Sequence, residues 1–132
     1  MNRLKETLTQ EERREIFKDL CARIYHGVRV TVIDAGYPLT GAICKVTSDY
    51  KFNIRQKQGI LFEKDIDIFD ENIVFYPHLF KPDYFNDDMN AGDVNPFDVN
   101  AVHDFCMFWS VDMHNLIGRG LAIDVVENKE YK

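Results

Sequence analysis

The stretch that decides the fold covers residues 27–69 and reads GVRVTVIDAGYPLTGAICKVTSDYKFNIRQKQGILFEKDIDIF. Apolar and polar residues alternate along it at the two-residue period of a β-strand, most clearly at residues 28–32 and 50–55. Compact turns such as Asp34-Ala35-Gly36 and Ser48-Asp49 interrupt the alternation. Short strands joined by tight turns predict a small five-stranded antiparallel barrel.

A helix is predicted on the N-terminal side of this barrel. The segment Thr9-Gln10-Glu11-Glu12 has the pattern of a capping box and predicts a helix over residues 9–25. Its apolar residues recur at spacings of three and four, opposite a polar face that includes Arg13, Arg14 and Lys18. The glycine that follows, Gly27, suits the left-handed position that ends a helix.

A second helical region is predicted in the C-terminal part of the chain. Asn95 and Pro96 suit a helix start, and the helical appendage is expected over residues 96–117, with Asp112 capping a short turn near its end. The remaining segments are an apolar edge strand at 73–80 that completes a barrel region of 27–80, a loop at 83–96 and a candidate strand at 121–126. The sequence therefore predicts one domain over residues 1–132, of the α+β, mainly β class.

Length and charge limit the classes of function. A chain of 132 residues is suited to one domain with one hydrophobic core. The formal net charge of −6 and the isoelectric point of about 5.1 disfavour binding to DNA and non-specific binding to nucleic acid, which requires a basic surface. Basic residues gather near the N-terminus, so a local basic face stays open.

Cysteines and apolar runs indicate the compartment. Cys21, Cys44 and Cys106 lie far apart among apolar neighbours, as buried free thiols do in a reducing compartment. The sequence shows neither a charged-then-apolar signal segment nor an apolar run of about 18 residues. We therefore expect an intracellular, cytoplasmic protein that does not associate with a membrane.

Part of the barrel region resembles the Sm-like proteins. Gly36 and Gly41 have the separation of the glycines in the first Sm motif, and residues 49–54, DYKFNI, resemble its Asp-x-x-Met-Asn ending. The second motif departs, because residues 62–66 read FEKDI where Sm proteins commonly carry an Ile-Arg-Gly turn. The resemblance covers about a third of the chain, and it implies an Sm-like architecture more than an Sm-like ligand.

Three further segments resemble a family of small uncharacterised proteins from phages and mobile elements of gut anaerobes. They are DLCARIYHGVRV at 19–30, YPHLFKP at 76–82 and DFCMFWSVDMHNLIGRGLA at 104–122. The middle segment departs from the family, since His78, Leu79 and Phe80 stand where that family has a more basic phrase. The resemblance implies a biological setting and brings no catalytic or binding residues with it.

Residues that could carry catalysis do not form a recognisable set. His26, His78, His103 and His114 are candidate metal ligands or acid–base groups, but the spacing joins none of them to enough partners for a zinc site. The acidic segment at 88–93 lacks the glycine and glutamate spacing of a calcium loop. No cysteine or serine carries the signature of an activated nucleophile. We therefore predict a protein without enzymatic activity, metal or cofactor.

Two groups of residues are candidate binding sites. One is a polar face of the barrel that could bind phosphate or stack a base, or could be an ordinary solvated face: Arg29, Tyr50, Lys51, Asn53 and Arg55. The other is a set of aromatic residues on an open strand edge and on the second helix, which could dock a partner or could pack in the core: Phe75, Tyr76, Phe105, Phe108 and Trp109.

These candidates lead to two hypotheses of function. The first is a non-enzymatic interaction or assembly module that binds a protein partner or itself, and the open edge and the aromatic helix favour it. The second is the binding or sequestration of RNA or a small nucleotide, and the Sm-like spacing and the polar face favour it.

Overall fold

The computed structural model describes residues 4–56, 65–81 and 110–126, and it has the predicted α+β, mainly β architecture. One helix precedes six strands, which together form one sheet. In chain order the elements are helix α1 (Gln10–Ala22), a 3₁₀ turn (Ile24–His26), and strands β1 (Arg29–Asp34), β2 (Tyr37–Val46), β3 (Lys51–Arg55), β4 (Ile66–Asp67), β5 (Ile73–Leu79) and β6 (Ile123–Asp124).

The sheet is open and mixed, with the strand order β4-β3-β2-β1-β5-β6. Neighbouring strands are antiparallel except β5 and β6, which pair in parallel through His78 with Ile123 and Leu79 with Asp124. In the described ranges no ladder joins β4 to the opposite end of the sheet, so the predicted closed antiparallel barrel is not confirmed. The physical reason is that the second side of β5 is taken by β6.

The strand predicted at 73–80 is confirmed as β5, but its C-terminal end does not lie at an edge of the sheet. Strand β5 lies between β1 and β6, and Phe80 forms a further parallel bridge with Val111. The segment is therefore internal to the sheet at its C-terminal end. Residues 57–64 of the predicted barrel region, the loop predicted at 83–96 and residues 96–109 of the predicted helical appendage lie outside the described residues.

The sheet is strongly curved. The rings of Phe52 on β3 and Phe75 on β5 have centroids 5.1 Å apart, although β2 and β1 lie between these two strands. A flat sheet would place β3 and β5 about 14 Å apart, because neighbouring strands are separated by about 4.8 Å. The curvature brings the two aromatic rings together on the concave face, where the core also contains Val30, Val32 and Ile54.

Helix α1 begins at the predicted capping box. The Thr9 side chain accepts from the backbone N–H of Glu12 over 3.1 Å, and the Glu12 carboxylate accepts from the backbone N–H of Thr9 over 2.9 Å. The helix ends at Ala22, earlier than predicted, and Gly27 takes the left-handed conformation after the 3₁₀ turn with φ of 61°. Ile16, Phe17 and Leu20 of the predicted apolar stripe are buried.

Two arginines attach the helix to the rest of the fold. Arg13, predicted on the polar face, is 2% exposed, and its Nη1 donates to the carbonyl oxygens of Ile68 over 2.9 Å and Ile73 over 2.6 Å. Arg23 is fully buried and binds the Asp19 carboxylate at 2.8 and 3.2 Å and the Val111 carbonyl at 2.7 Å. Burial of both groups is compensated by hydrogen bonds.

The described C-terminal segment is made of turns and the short strand β6. The carboxylate of Asp112 accepts from the backbone N–H groups of Leu116 and Ile117, both at 2.9 Å, as the predicted cap requires. Residues 110–117 form turns and not the end of a long helix, and the candidate strand at 121–126 is reduced to Ile123–Asp124. In the ranges that the structure describes, no helix is long and apolar enough to cross a membrane.

Candidate binding site

Arg29 and Arg55 lie in one row across the sheet. Arg29 on β1 pairs with Ala42 on β2, and Ala42 pairs in turn with Arg55 on β3. Directly paired residues point to the same face of a sheet, so both arginines share the face opposite the aromatic core. Two strand spacings separate their backbones by about 10 Å, and the short side chain of Ala42 lies between them.

Both arginines of this row are exposed. In the described ranges, neither guanidinium group makes an ion pair or a hydrogen bond with another residue. This distinguishes them from Arg13 and Arg23, whose guanidinium groups are buried and bound. Arg119 is also occupied, since it lies 2.7 Å from the Glu15 carboxylate. The row therefore presents two uncompensated positive charges on a chain of net charge −6.

The other three residues of the predicted polar face are already engaged. The Asn53 amide is buried, donating to Asp65 over 3.1 Å and accepting from the Ile54 N–H over 2.8 Å. Lys51 lies 3.7 Å from Asp49. Tyr50 packs against two aromatic rings beside the helix, Phe17 at 5.9 Å and Phe69 at 5.4 Å between centroids. The structure thus brings Arg29 and Arg55 together and places Tyr50 away from them.

His78 continues the row on the other side of Arg29. Val30 pairs with Pro77, so the next residues along the two strands, Arg29 and His78, are neighbours. His78 is 3% exposed, and its Nε2 lies 2.7 Å from the Thr31 hydroxyl, which lies 2.7 Å from the Thr40 hydroxyl. Burial lowers the pKa of His78 to about 4, and the charge of Arg29 acts in the same direction. The imidazole is therefore neutral near pH 7.

This threonine–histidine arrangement is suited to stability and not to catalysis. A hydroxyl that acts as a nucleophile must reach a substrate, and Thr31 is 0% exposed. The Thr31 hydroxyl has one hydrogen, so it donates to His78 or to Thr40 and accepts from the other. The three side chains thus satisfy one another inside the sheet. In the described part of the chain, no cluster of three or more His, Cys, Asp or Glu residues could hold a metal.

A pocket of ≈ 390 Å³ opens beside Arg29 on the β5 side of the row. Arg29 and His78 form one wall, and Phe80, Ser110 and Val125 form another. The pocket has the size of a binding site for a side chain or a small ligand, and it carries few polar groups. Among the described residues that line it, Arg29 carries the one permanent charge, because neutral His78 adds none.

Tyr25 lies near the N-terminal end of strand β1, which is the end that carries Arg29. It belongs to the 3₁₀ turn that packs against β2, and its side chain is 95% exposed. A Cβ atom added at Gly27 would lie 3.9 Å from the Cβ of Ala42, which places the end of this turn beside the middle of the row. Tyr25 and Ala42 were not predicted as site residues. The only signal in the sequence was that Tyr25 falls outside the apolar stripe of the preceding helix.

Of the five aromatic residues predicted to dock a partner, two are buried and three lie outside the described residues. Phe75 and Tyr76 are buried, and the Tyr76 hydroxyl donates to the backbone carbonyl of Lys5. They are therefore not available at the surface. Phe105, Phe108 and Trp109 lie outside the described residues.

A second cleft, of ≈ 510 Å³, lies between helix α1 and the turn that Asp112 caps. It contains both signs of charge, and most of them are paired within the protein. Glu15 binds Arg119, and Asp19 binds the buried Arg23. Lys18 and His114 add the remaining polar groups. The balance of charges gives this cleft no clear preference for a ligand.

We name the group of the exposed Tyr25, Arg29 and Arg55 and the half-buried Ala42 the arginine-row surface. The ladder register and the side-chain contacts within this chain define this surface. The resemblances to an Sm-like pattern and to a family of phage and mobile-element proteins stay predictions. No family model matches the chain, and neither the curated proteins nor the solved structures compared with it include a match.

Proposed function

We propose that this protein is a non-enzymatic binding module that recognises a protein partner through the arginine-row surface. The observation that carries the proposal is the pair of exposed arginines, Arg29 and Arg55, on either side of Ala42, which have no counter-charge among the described residues. A local basic face of this kind is complementary to an acidic patch on another molecule. It is distinct from the rest of the protein, because the chain as a whole is acidic.

The residue types support a protein partner. Arginine and tyrosine are among the residues that contribute most to protein interfaces, and truncating such a residue at a contact centre costs about 2 kcal/mol or more. Tyr25 offers an exposed aromatic ring in the 3₁₀ turn whose end at Gly27 lies beside Ala42. Ala42 leaves room between the two guanidinium groups for an incoming side chain.

The experiment is affinity capture from cell lysate with the wild-type chain and with the variant Arg29→Glu/Arg55→Glu. The expected result is a partner that the wild type retains and the variant loses. Lys18→Glu is the matched control, because it reverses an exposed charge that lines the other cleft. A partner that all three proteins retain equally would contradict the proposal.

Self-association is one form of this function, since a second copy of the chain is itself a protein partner. Size-exclusion chromatography with light scattering measures the mass of the assembly in solution. An oligomer of the wild type that dissociates in Arg29→Glu/Arg55→Glu would identify the second copy as the partner. An oligomer of unchanged mass would place the self-contact elsewhere on the molecule.

A second candidate function is binding of RNA or a small nucleotide. The two unpaired guanidinium groups favour it, since arginine binds phosphate in a bidentate manner. However, Tyr50 packs beside the helix and the Asn53 amide is occupied, so neither is positioned to read a base next to the row. Excess absorbance of the purified protein at 260 nm, lost in Arg55→Glu, would support nucleotide binding. Nucleotide-free protein without a thermal shift across a nucleotide panel would contradict it.

A further inference from the structure

The pocket beside Arg29 and the arginine row form a continuous surface, because Arg29 belongs to both. The walls of the pocket are mainly carbon, from Val28, Phe80 and Val125, and the neutral imidazole of His78 brings no charge. A group that enters the pocket is therefore apolar. The group next to it, at the pocket mouth, meets the positive charge of Arg29.

The distance between the two arginines of the row also limits what can bind. Arg55 lies two strands from Arg29, or about 10 Å, on the side away from the pocket. A peptide in the polyproline II conformation advances about 3.1 Å per residue and completes a turn every three residues, so side chains three positions apart lie on the same side of it, about 9 Å apart. Two acidic residues three positions apart in such a peptide would therefore match the spacing of the two arginines.

We infer that the pocket and the row together bind an extended acidic peptide segment of a partner protein. One apolar side chain of the peptide fills the pocket. An adjacent Asp or Glu pairs with Arg29, and a second acidic residue three positions further along pairs with Arg55. This inference rests on the proposed function, since it names the part of the protein partner that the arginine-row surface recognises.

A peptide fits these observations better than a small ligand does. The pocket lies on the β5 side of Arg29, and Arg55 lies on the β3 side. A compact ligand that filled the pocket and paired with Arg29 would leave Arg55 without a counter-charge. A peptide chain reaches all three positions.

The test begins with selection of random peptides by mRNA display against the full chain. The expected result is enrichment of sequences with an aliphatic or aromatic residue next to Asp or Glu, and a second Asp or Glu three positions away. Enrichment of peptides without acidic residues would overturn the inference, and so would the absence of any enriched peptide.

The second step measures the affinity of the most enriched peptide by fluorescence anisotropy. Replacing its apolar residue by Ala, or its acidic residue next to that position by Asn or Gln, is expected to weaken binding at least about tenfold, as loss of a central contact does. Because these changes are made in the peptide, they do not depend on how a protein variant folds. Unchanged affinity in either peptide would overturn the inference.

Protein variants separate this inference from the proposed function. Val125→Trp narrows the pocket, whereas Val126→Trp changes the exposed neighbour that does not line it. Val125→Trp is expected to weaken peptide binding at least about tenfold, and Val126→Trp less than about twofold.

If Arg29→Glu/Arg55→Glu loses the captured partner while Val125→Trp retains both partner and peptide, the pocket inference fails and the proposed function stands. If Arg29→Glu/Arg55→Glu retains the captured partner, the proposed function fails and this inference fails with it. Stabilisation by nucleoside monophosphates that the peptide competes away would replace the peptide with a nucleotide, and would overturn the inference.

Discussion

The Nε2 atom of His78 lies 2.7 Å from the Oγ1 atom of Thr31, inside the sheet and directly beside the arginine row. The contact joins β5 to β1, and the Thr40 hydroxyl extends it to β2. Three neighbouring strands are thus connected by one short polar chain, in which His78 and Thr31 are buried and Thr40 is partly exposed. Protonation of the imidazole would fix the direction of this chain, because a protonated ring can only donate to Thr31, which would then donate to Thr40.

This contact predicts a pH dependence of stability. The pKa of His78 is lowered to about 4 in the folded protein, from about 6.5 in the unfolded chain. Between these values the unfolded state binds the proton and the folded state does not, so stability falls as pH falls from about 6.5 to 4. The expected loss from this group is up to about 3 kcal/mol.

The measurement is urea unfolding at pH 7.0, 5.5 and 4.5 for the wild type and for His78→Gln. Carboxylates titrate in both proteins, so the difference between the two pH profiles reports the histidine. We expect a flatter profile for His78→Gln over this interval. Parallel profiles would show that His78 is not protonated on unfolding in this pH range.

The buried ion pair between Asp19 and Arg23 predicts a large loss of stability on single substitution. Asp19→Asn removes the carboxylate that balances the charge of the fully buried Arg23, and an uncompensated buried charge costs about 3–5 kcal/mol. The double variant Asp19→Leu/Arg23→Met removes both charges. We expect it to recover part of the free energy of unfolding, and chemical denaturation of the wild type and the two variants measures this. A single variant as stable as the wild type would contradict the importance of the pair.

Gly41 predicts a local link between stability and binding. A Cβ atom at this position would lie 2.6 Å from the carbonyl oxygen of Arg55, which is backbone and cannot rotate away. Gly41→Ala is therefore expected to cost about 1–3 kcal/mol and to displace Arg55 from the row. Thermal unfolding and peptide affinity should both decrease.

Gly36→Ala is the comparison variant for this prediction. It has no atom within 4 Å of the added Cβ but has a φ of +87°, so its cost of about 1–2 kcal/mol comes from backbone strain in a turn far from Arg55. It should leave peptide affinity unchanged. Full peptide affinity in Gly41→Ala would show that Arg55 does not depend on this close approach.

The sequence predicted the local structure well where short-range chemistry controls it. The capping box at Thr9, the left-handed Gly27 and the Asp112 cap are all confirmed, because each depends on residues a few positions apart. Alternation predicted β1, β2 and β3, and hence the shared face of Arg29 and Arg55. The irregularity in the pairing of β2 with β3 lies between Ile43 and Lys45, and Gly41 is needed for close backbone approach.

Contacts between segments far apart in the sequence were harder to predict. The parallel pairing of β5 with β6 joins segments more than 40 positions apart, and no local pattern marks it. For the same reason Arg13 was placed on a polar face, although its partners are backbone carbonyls at Ile68 and Ile73. The pocket was also missed, because it combines Arg29 with residues from β5 and the C-terminal segment.

The most direct test of the arginine-row surface is the affinity of one selected acidic peptide for the wild type and for Arg29→Glu/Arg55→Glu, measured by fluorescence anisotropy at low salt. Thermal unfolding of both proteins is the control for folding, since both side chains are exposed. We expect the double variant to bind at least about 100-fold more weakly with an unchanged unfolding temperature, because each reversed charge costs more than about 1.4 kcal/mol. Equal affinity of the two proteins would contradict the account.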